Sequence, residues 1–160
     1  MTLEFRPVEP GDLSLLNEWV TRPHVAEWWD SEETYAVDDL SDAQAKLWIV
    51  SLDARPFAFA QDYVVHGFGP HHFDYLPLGA RGIDQFIAEP DLLGRGYGRA
   101  LVRQQLERLF ALGAPVVCTD PHPGNTRAIR AYLGVGFRAA GAAVDTPWGT
   151  VQPMECWAPE

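Results

Sequence analysis

The chain has 160 residues, of which 47% are hydrophobic and 12% aromatic, and its formal net charge is −10. This length suits one domain that buries a single core without disulfides or metal, so we expect one domain over residues 1–160. The negative charge argues against nucleic acid as a partner, because that binding needs basic residues, of which only 12 are present. An acidic surface favours a cationic partner through long-range steering, although the same charge can serve solubility alone.

The cysteines and the N-terminal residues bear on the cellular compartment. Cys118 and Cys156 are the two cysteines and show no metal-ligand spacing, which is typical of reduced thiols in a reducing compartment. The first ten residues lack the apolar stretch of a signal peptide, and no segment is apolar enough to span a membrane. The sequence therefore predicts a cytoplasmic protein without membrane association.

The first part of the chain predicts one strand followed by two short helices. Residues 3–7 alternate apolar and polar side chains as a strand does, and Asp12 can cap the helix that follows. Pro23 suits the first position of a second helix, which we expect to include Trp28 and Trp29. An acidic surface segment over residues 30–42 comes next.

The middle of the chain predicts a hairpin, a long loop and another strand. Residues 46–52 and 56–65 are rich in strand formers and flank Asp53-Ala54-Arg55, which indicates a hairpin. Residues 66–80 contain glycines, prolines and histidines and predict a loop, and loops of that length are often functional. Residues 81–88 predict the next strand.

The second half predicts helices and strands in alternation. A glycine-rich turn at residues 94–98 leads into a helix over residues 99–112, where apolar side chains recur at helical spacing. A short buried strand over residues 116–119 precedes a helix that Asn125 caps and that runs to about residue 135. Residues 137–144 and 151–157 predict a closing pair of strands. The order of elements implies a mixed sheet with helices on both faces.

The turn Gly94-Arg95-Gly96-Tyr97-Gly98 can bind phosphate. It places backbone N–H groups with little side-chain cover at a helix N-terminus, where the partial positive charge favours anions. A tight strand-to-helix turn requires glycine equally, so the turn alone leaves both interpretations open. The arginines Arg95, Arg99 and Arg103 add positive charge beside it and favour a phosphate ligand.

This turn with its helix, together with residues 123–132 and the following Gly136-Phe137, resembles the acetyl-CoA signature of the GNAT superfamily of N-acetyltransferases. The resemblance implies the GNAT fold, an α/β (α+β) architecture with a mixed, mostly antiparallel central sheet of about seven strands and helices on both faces. It also implies acetyl-CoA as co-substrate and no metal. Leu93 departs from the pattern, since many members carry Gln or Arg there, but the backbone cradle should remain intact.

The resemblance further assigns roles to individual residues. It implies that the backbone amides of residues 95–98 bind the CoA pyrophosphate, with Arg99 beside them. It implies that Phe86 and Ile87 pair with the pantetheine arm and that Asn125 contacts an amide of that arm. Tyr132 would face the leaving thiolate as a general acid, with a core tyrosine that packs on the sheet as the alternative. The implied coenzyme-binding residues are Phe86, Ile87, Arg95, Gly96, Tyr97, Gly98, Arg99 and Asn125.

Two carboxylates are placed to bind an amine substrate. Asp84 lies among apolar neighbours in the strand before the glycine turn, where a charge is costly unless it faces a cleft or a partner such as Arg81. Asp120 follows the next strand, and ligands gather outside the carboxyl ends of strands in an open sheet. A turn cap is the alternative for Asp120. Amide formation needs groups that orient the amine and accept its proton, which carboxylates can do.

The residues Glu27-Trp28-Trp29, with segments 82–85 and 119–121, together look like the aminoglycoside 6′-N-acetyltransferases. By this resemblance Asp84 is the base or amine-orienting group and Asp120 is a second anionic contact. Trp28 and Trp29 form part of the substrate wall, although tryptophans at helical spacing also suit a core. A cationic small-molecule amine is then the expected substrate, and the enzyme is expected to be a monomer or homodimer.

Two other functions remain open at this point. Related proteins with parts of the same pattern acetylate a siderophore precursor or another small amine. A protein of a different class would bind aminoglycosides or sense acyl-CoA without catalysis. The histidines His66, His71 and His72 could suggest a metal site, but a loop offers them no fixed ligand geometry.

Overall fold

The computed structural model describes residues 2–29, 34–67 and 69–160. Nine strands and four helices are numbered here in chain order within these ranges. The strands are β1 Glu4–Pro7, β2 Ala45–Leu52, β3 Arg55–Val64, β4 Arg81–Ile87, β5 Val116–Thr119, β6 Arg138–Ala139, β7 Val144–Thr146, β8 Gly149–Val151 and β9 Met154–Trp157. The helices are α1 Leu13–Trp19, α2 Pro23–Ala26, α3 Tyr97–Ala111 and α4 Thr126–Gly134.

Seven strands form one sheet in the order β1-β2-β3-β4-β5-β9-β6, and β7 pairs with β8 in a separate hairpin. Within the seven-stranded sheet β4 and β5 run parallel, and the other neighbouring pairs run antiparallel. The ladder between β4 and β5 joins Arg81 to Val117 and Gly82 to Cys118, while β4 continues to Ile87. The two strands therefore separate part of the way along, and this opening positions the site.

Helices pack on both faces of the sheet, as the sequence predicts. On one face, Leu16 and Trp19 of α1 are fully buried against Ile49 and Phe59. On the other face, α3 and α4 bury a larger apolar surface against the sheet. The residues of that cluster include Ile83, Val102, Leu106, Leu109, Val117, Tyr132 and Phe137. Burial of such side chains contributes about 1.5–3 kcal/mol each, so packing holds both layers to the sheet.

The long loop over residues 66–80 contains no helix or strand in its described part. It covers β5 on the same face of the sheet as α1. Phe73 and Leu76 are buried with Val116 and Cys118 of β5. His66 Nε2 donates to the Leu76 carbonyl oxygen at 2.6 Å. The loop is thus anchored by its own apolar residues and lies against the strand end that carries Asp120.

The predicted hairpin is confirmed and turns through two residues. Asp53 and Ala54 have φ values of 49° and 66°, which give a two-residue turn that matches the twist of the flanking strands. An alanine in this region costs about 1 kcal/mol, because its Cβ approaches the following carbonyl. The strong pairing of β2 with β3 along their lengths outweighs that cost.

A buried carboxylate joins three elements on the α3 face. Asp62 is 0% exposed and accepts hydrogen bonds from Trp48 Nε1 at 2.9 Å and Arg108 Nη2 at 2.6 Å. Its other oxygen accepts from Arg81. Arg81, a possible partner for Asp84 in the sequence, therefore pairs with Asp62. The Arg108 guanidinium also lies 4.8 Å from the Trp48 ring centroid, which adds a cation–π contact.

Two helix predictions differ from the structure near the N-terminus. The Asp12 side chain makes no cap hydrogen bond to α1, because its carboxylate accepts from Arg6 at 2.7 and 2.9 Å and from the Glu9 amide at 2.8 Å. Helix α2 ends at Ala26, so Trp28 and Trp29 lie in the turn after it. Of the acidic segment, residues 30–33 lie outside the described ranges, and Val37–Ser41 forms a 3-10 turn.

The predicted closing pair of long strands is wrong. The chain forms four short strands there, with β6 paired to β9 and β7 paired to β8. Gly141 has a φ of 77° and interrupts the first predicted strand. Pro153 lies between β8 and β9, and proline lacks the N–H that would continue the ladder.

Candidate active site

A cavity of about 640 Å³ opens where β4 and β5 separate. Its wall comes from α2 and the turn after it, β4, the start of α3, the end of β5 and the first turns of α4. Most of the predicted site residues line this one cavity. They are Trp28, Trp29, Asp84, Phe86, Ile87, Gly98, Asp120, Asn125 and Tyr132. Four predicted coenzyme-binding residues are not in this lining, namely Arg95, Gly96, Tyr97 and Arg99.

The separation of the strands leaves the backbone of β4 facing the cavity. Thr119 Oγ1 donates to the Ile83 carbonyl oxygen at 3.0 Å at the point where the ladder ends. Further along, His24 Nε2 of α2 donates to the Ile87 carbonyl oxygen at 2.9 Å. The stretch between these contacts is an exposed strand edge, which can pair with an extended ligand that carries amides.

The glycine-rich turn has the backbone conformation that the sequence requires. Gly94 and Gly96 have φ values of 72° and 87°, a region that favours glycine, and Gly96 is the N-cap of α3. A Cβ on Gly96 would meet no atom within 4 Å, so backbone conformation rather than crowding selects glycine there. Gly98 has no such φ and lines the cavity. The N–H groups of the first turn of α3 have no acceptor within the helix and can bind an anion.

The side chains of this turn mostly point elsewhere. The Tyr97 ring packs against Phe57 at a centroid distance of 5.7 Å. The Arg99 guanidinium lies against Gly134 of α4, close enough that a Cβ there would be 2.8 Å from it. Arg95 is exposed. The side chains therefore leave the backbone of the turn as the part that is open to a phosphate.

Tyr132 joins a chain of polar side chains inside the apolar core. Its hydroxyl accepts a hydrogen bond from Gln85 Nε2, and Gln85 Oε1 accepts one from Gln105 Nε2 at 2.7 Å. Burial raises the pKa of Tyr132, against the opposing effect of a hydrogen bond with Thr119, so the hydroxyl stays protonated at neutral pH. The ring packs on Phe137 at 5.3 Å, so the tyrosine is part of the core and also reaches the cavity wall.

Gln85 and Gln105 were not predicted as site residues. Gln85 lies in segment 82–85, which contributes to the resemblance, but no role was assigned to it. The signal at Gln105 is an amide side chain between Val102 and Leu106 on the buried face of α3. A buried amide without a partner costs about 1–3 kcal/mol, so such a residue points to a polar network.

The acidic side of the cavity is built around β4. Asp84 Oδ2 accepts a hydrogen bond from Gln61 Nε2 of β3 at 2.9 Å. Tyr63 lies on the same face and covers Gly82, where any Cβ would clash with its ring. Burial raises the pKa of Tyr63 well above its usual value, and the negative charges of Asp84 and Asp120 raise it further. The two carboxylates thus make this part of the site strongly negative.

Asp120 has a partner that was not predicted. His72 Nε2 of the long loop lies 2.7 Å from Asp120 Oδ2, and both side chains are mostly buried. The sequence suggested a polar loop residue or part of a metal site at His72, and no contact with Asp120. The contact depends on the loop folding back over β5, which local sequence pattern does not encode.

The two tryptophans differ in their surroundings. Trp29 packs against Phe86 and Phe59 at centroid distances of 5.0 and 5.9 Å, so it belongs largely to the core. Trp28 is 42% exposed and its ring lies 5.4 Å from that of His122, which also lines the cavity. Trp28 is therefore the more accessible of the two tryptophans in the cavity wall.

Within residues 2–29, 34–67 and 69–160, no group of three or more His, Cys, Asp or Glu side chains could hold a metal ion. No helix in the described part of the chain is both long enough and apolar enough to cross a membrane.

Residues 9–144 match the family model described as an acetyltransferase (GNAT) domain. Aminoglycoside N(6′)-acetyltransferase type 1 of Klebsiella pneumoniae is 39% identical over 162 residues, which cover 92% of this chain and 79% of that protein. The match confirms the predicted resemblance to the aminoglycoside 6′-N-acetyltransferases.

Solved structures agree in fold. AAC(6′)-Ib in complex with coenzyme A has a TM-score of 0.88 and 35% identity, covering 98% of this chain and 95% of that one. AAC(6′)-Ib in complex with coenzyme A and kanamycin has a TM-score of 0.86 and 36% identity, with coverage of 98% and 95%. The predicted fold is therefore confirmed, and the chain belongs to the GNAT acetyltransferase family.

Proposed function

We propose that this acyltransferase moves the acetyl group of acetyl-CoA to the 6′-amine of aminoglycosides. The observation that carries the proposal is one cavity that brings together the exposed edge of β4, the Tyr132 hydroxyl and the carboxylates of Asp84 and Asp120. The names of the similar proteins support the acceptor, since one is an aminoglycoside N(6′)-acetyltransferase and one solved structure holds coenzyme A with kanamycin.

Acetyl-CoA would enter along the opening between β4 and β5. The N–H groups of residues 95–98 would bind its pyrophosphate, and the arginines near the turn would add positive charge. The backbone at Phe86 and Ile87 would pair with the pantetheine arm, and Asn125 would contact an amide of that arm. Asn125 already caps α4, because its Oδ1 accepts from the Ala128 amide at 3.3 Å. Its side-chain N–H₂ remains able to donate to the coenzyme.

The acceptor amine would bind between the carboxylates and attack the thioester directly. Its lone pair forms the new C–N bond, the C–S bond breaks, and the sulfur leaves as a thiolate that takes the Tyr132 proton. The proton that the amine loses passes to Asp84 or to a water held by it. Gln85 donates to the Tyr132 oxygen and so stabilises the phenolate that forms for a moment.

The acidic wall favours a polyamine sugar among possible acceptors. Glu27, Asp84 and Asp120 line the same cavity, and several ammonium groups need several acceptors. Acetylation of a siderophore precursor or another small amine is the alternative. A panel of acceptors separates the two, and absence of turnover with every 6′-amino aminoglycoside would contradict the preferred substrate.

Thiol release and calorimetry test the proposal directly. We expect acetyl-CoA to bind in calorimetric titration, and kanamycin or tobramycin to cause release of free CoA thiol. Binding of both ligands without thiol release would instead support a non-catalytic protein that binds aminoglycosides or acyl-CoA.

The remaining parts of the proposal concern the surroundings of the enzyme. We place it in the cytoplasm, as a monomer or homodimer that acts without nucleic acid. The net charge of −10 and the two cysteines, which carry free thiols in the structure, support this placement.

Replacing Gly96 with valine should weaken acetyl-CoA binding about tenfold, because the branched side chain displaces the left-handed backbone that aims the amides at the pyrophosphate. Gly113→Val is a matched control. Gly113 follows the other end of α3, has a φ of 99° and also has no atom within 4 Å of a Cβ. Both variants should lose similar stability, while calorimetry should detect weaker coenzyme binding for Gly96→Val alone. Equal affinities in the two variants would contradict the role of the turn.

Replacing Tyr132 with phenylalanine should lower kcat about 100-fold, since the thiolate then leaves without a general acid. The ring contact with Phe137 remains, but Gln85 Nε2 loses its acceptor, so we expect the free energy of unfolding to fall by about 1–3 kcal/mol while the fold is kept. Tyr75→Phe is the control, because its hydroxyl binds Glu155 outside the cavity. Steady-state thiol-release kinetics measure the effect, and an unchanged kcat in Tyr132→Phe would leave this tyrosine with a core role only.

A further inference from the structure

We infer that His72 is a positioning residue that fixes Asp120 for the cationic acceptor and thereby sets acceptor affinity. The inference rests on the proposed function and extends it to a residue outside the cavity wall. The central contact is the hydrogen bond of 2.7 Å between His72 Nε2 and Asp120 Oδ2. Asp120 lines the cavity and His72 does not, so the imidazole lies behind the carboxylate and acts through it.

The His72 ring is held firmly by its neighbours. It stacks on His71 at a centroid distance of 4.2 Å and lies 4.6 Å from Phe73, which is fully buried. The ring of Trp148, which lies in the turn between β7 and β8, is 5.9 Å from the His72 ring. The loop turn that carries His72 is closed by the Asp74 amide, which donates to the His71 carbonyl oxygen at 3.0 Å. The imidazole therefore has little freedom to leave Asp120.

The hydrogen bonding of the ring defines its tautomer. Nδ1 of His72 is buried and has no hydrogen-bond partner within the described part of the chain. Beside a carboxylate acceptor, the neutral ring carries its proton on Nε2 and keeps a bare lone pair on Nδ1. A buried nitrogen without a partner is unfavourable. Hydrogen bonding at Nδ1 therefore does not explain why the ring is buried here, whereas the hydrogen bond from Nε2 to Asp120 favours this position.

This bond leaves the carboxylate prepared for an ammonium group. One oxygen of Asp120 is held by the imidazole, and a carboxylate has further lone pairs that can accept from a ligand. The side chains of His72 and Asp120 are 12% and 18% exposed, so water competes weakly for them. Without the imidazole, the carboxylate is free to rotate, and the bound amine must then restrict that rotation itself.

The kinetic test compares two replacements of His72. His72→Phe keeps the ring without the donor and should raise KM for kanamycin about tenfold, with kcat and KM for acetyl-CoA within about twofold. His72→Gln places an amide N–H near the position of Nε2 and should stay within about threefold of the parent. Tyr75→Phe is the control, since it removes another hydrogen bond between the same loop and the sheet.

A double-mutant cycle shows whether His72 acts through Asp120. The effect of His72→Phe on KM for kanamycin should disappear in the Asp120→Ala background, where no side-chain acceptor is left for the imidazole to position. An equal effect in both backgrounds, or an unchanged KM in His72→Phe, would overturn the inference. A similar rise in KM for Tyr75→Phe would reduce His72 to general support of the loop and would also overturn it.

A spectroscopic test needs no substrate. In ¹⁵N-histidine-labelled protein above neutral pH, the resonance absent from His72→Phe should show the Nε2–H tautomer and become a tautomer mixture in Asp120→Ala, which removes the acceptor. A resonance insensitive to Asp120→Ala would overturn the inference. Failure of the parent to acetylate kanamycin contradicts the proposed substrate instead, and the histidine resonance then decides whether the imidazole orients Asp120.

Discussion

Replacing Asp84 with asparagine is expected to lower kcat about 100- to 1,000-fold and to leave the dissociation constant of acetyl-CoA within about twofold. The asparagine carbonyl can still accept the hydrogen bond from Gln61, which is 2.9 Å long in the parent, so the side chain should keep its place. What is lost is the negative charge that orients the amine and takes its proton. Stopped-flow or steady-state thiol release gives kcat, and calorimetry gives coenzyme affinity.

The control for this prediction is Asp145→Asn. Asp145 is an exposed residue on β7 that accepts a hydrogen bond from Thr150, and it lies outside the cavity. The variant removes the same charge from the protein and should leave kcat unchanged. Equal rates of CoA release for Asp84→Asn and the parent would remove Asp84 from the mechanism, and equal losses in both variants would point to the general charge of the protein.

The parts of the site that the sequence predicts are those encoded within a few residues. The glycine turn requires positive φ at Gly94 and Gly96, and only glycine adopts that conformation readily. The Asn125 cap acts on an amide three residues ahead in the chain. These patterns depend on local backbone chemistry, so they can be recognised in the sequence before the fold is known. The same patterns carry the resemblance to the family.

The contacts that escape prediction join residues far apart in the chain. His72 and Asp120 are separated by 48 positions, and Gln85 and Tyr132 by 47. Each residue alone has an ordinary explanation, as a polar loop histidine or an amide on a strand. Only the packing of the loop on β5 and of α4 on the sheet turns them into partners.

The short closing strands show a different limit. The β-forming residues near the C-terminus are present, but each strand spans only a few residues between breakers such as Gly141 and Pro153. Pairing of such short strands is decided by the neighbours available in the sheet rather than by propensity. Residues 154–157 pair with β5 as β9, and residues 144–151 pair among themselves as the β7–β8 hairpin.

Replacing Asp62 with asparagine is expected to lower the free energy of unfolding by about 3 kcal/mol. The carboxylate is fully buried and is approached by two guanidinium groups and one indole N–H. Asparagine offers a single oxygen acceptor and turns N–H donors toward the arginines, so two cations lose their partner. Urea unfolding followed by tryptophan fluorescence measures the change, and an unchanged m-value would show that the variant and the parent expose similar amounts of surface on unfolding.

An exposed ion pair provides the matched comparison. Asp91 accepts from Arg55 at 2.9 Å, but their side chains are 56% and 49% exposed. Water solvates the Arg55 guanidinium after Asp91→Asn, so we expect a much smaller loss of stability than for Asp62→Asn. A similar loss in the two variants would mean that burial adds nothing to the Asp62 cluster. Since Arg81 lies on β4 and Arg108 on α3, a large loss for Asp62→Asn alone would show that this buried carboxylate stabilises the packing of α3 on the sheet.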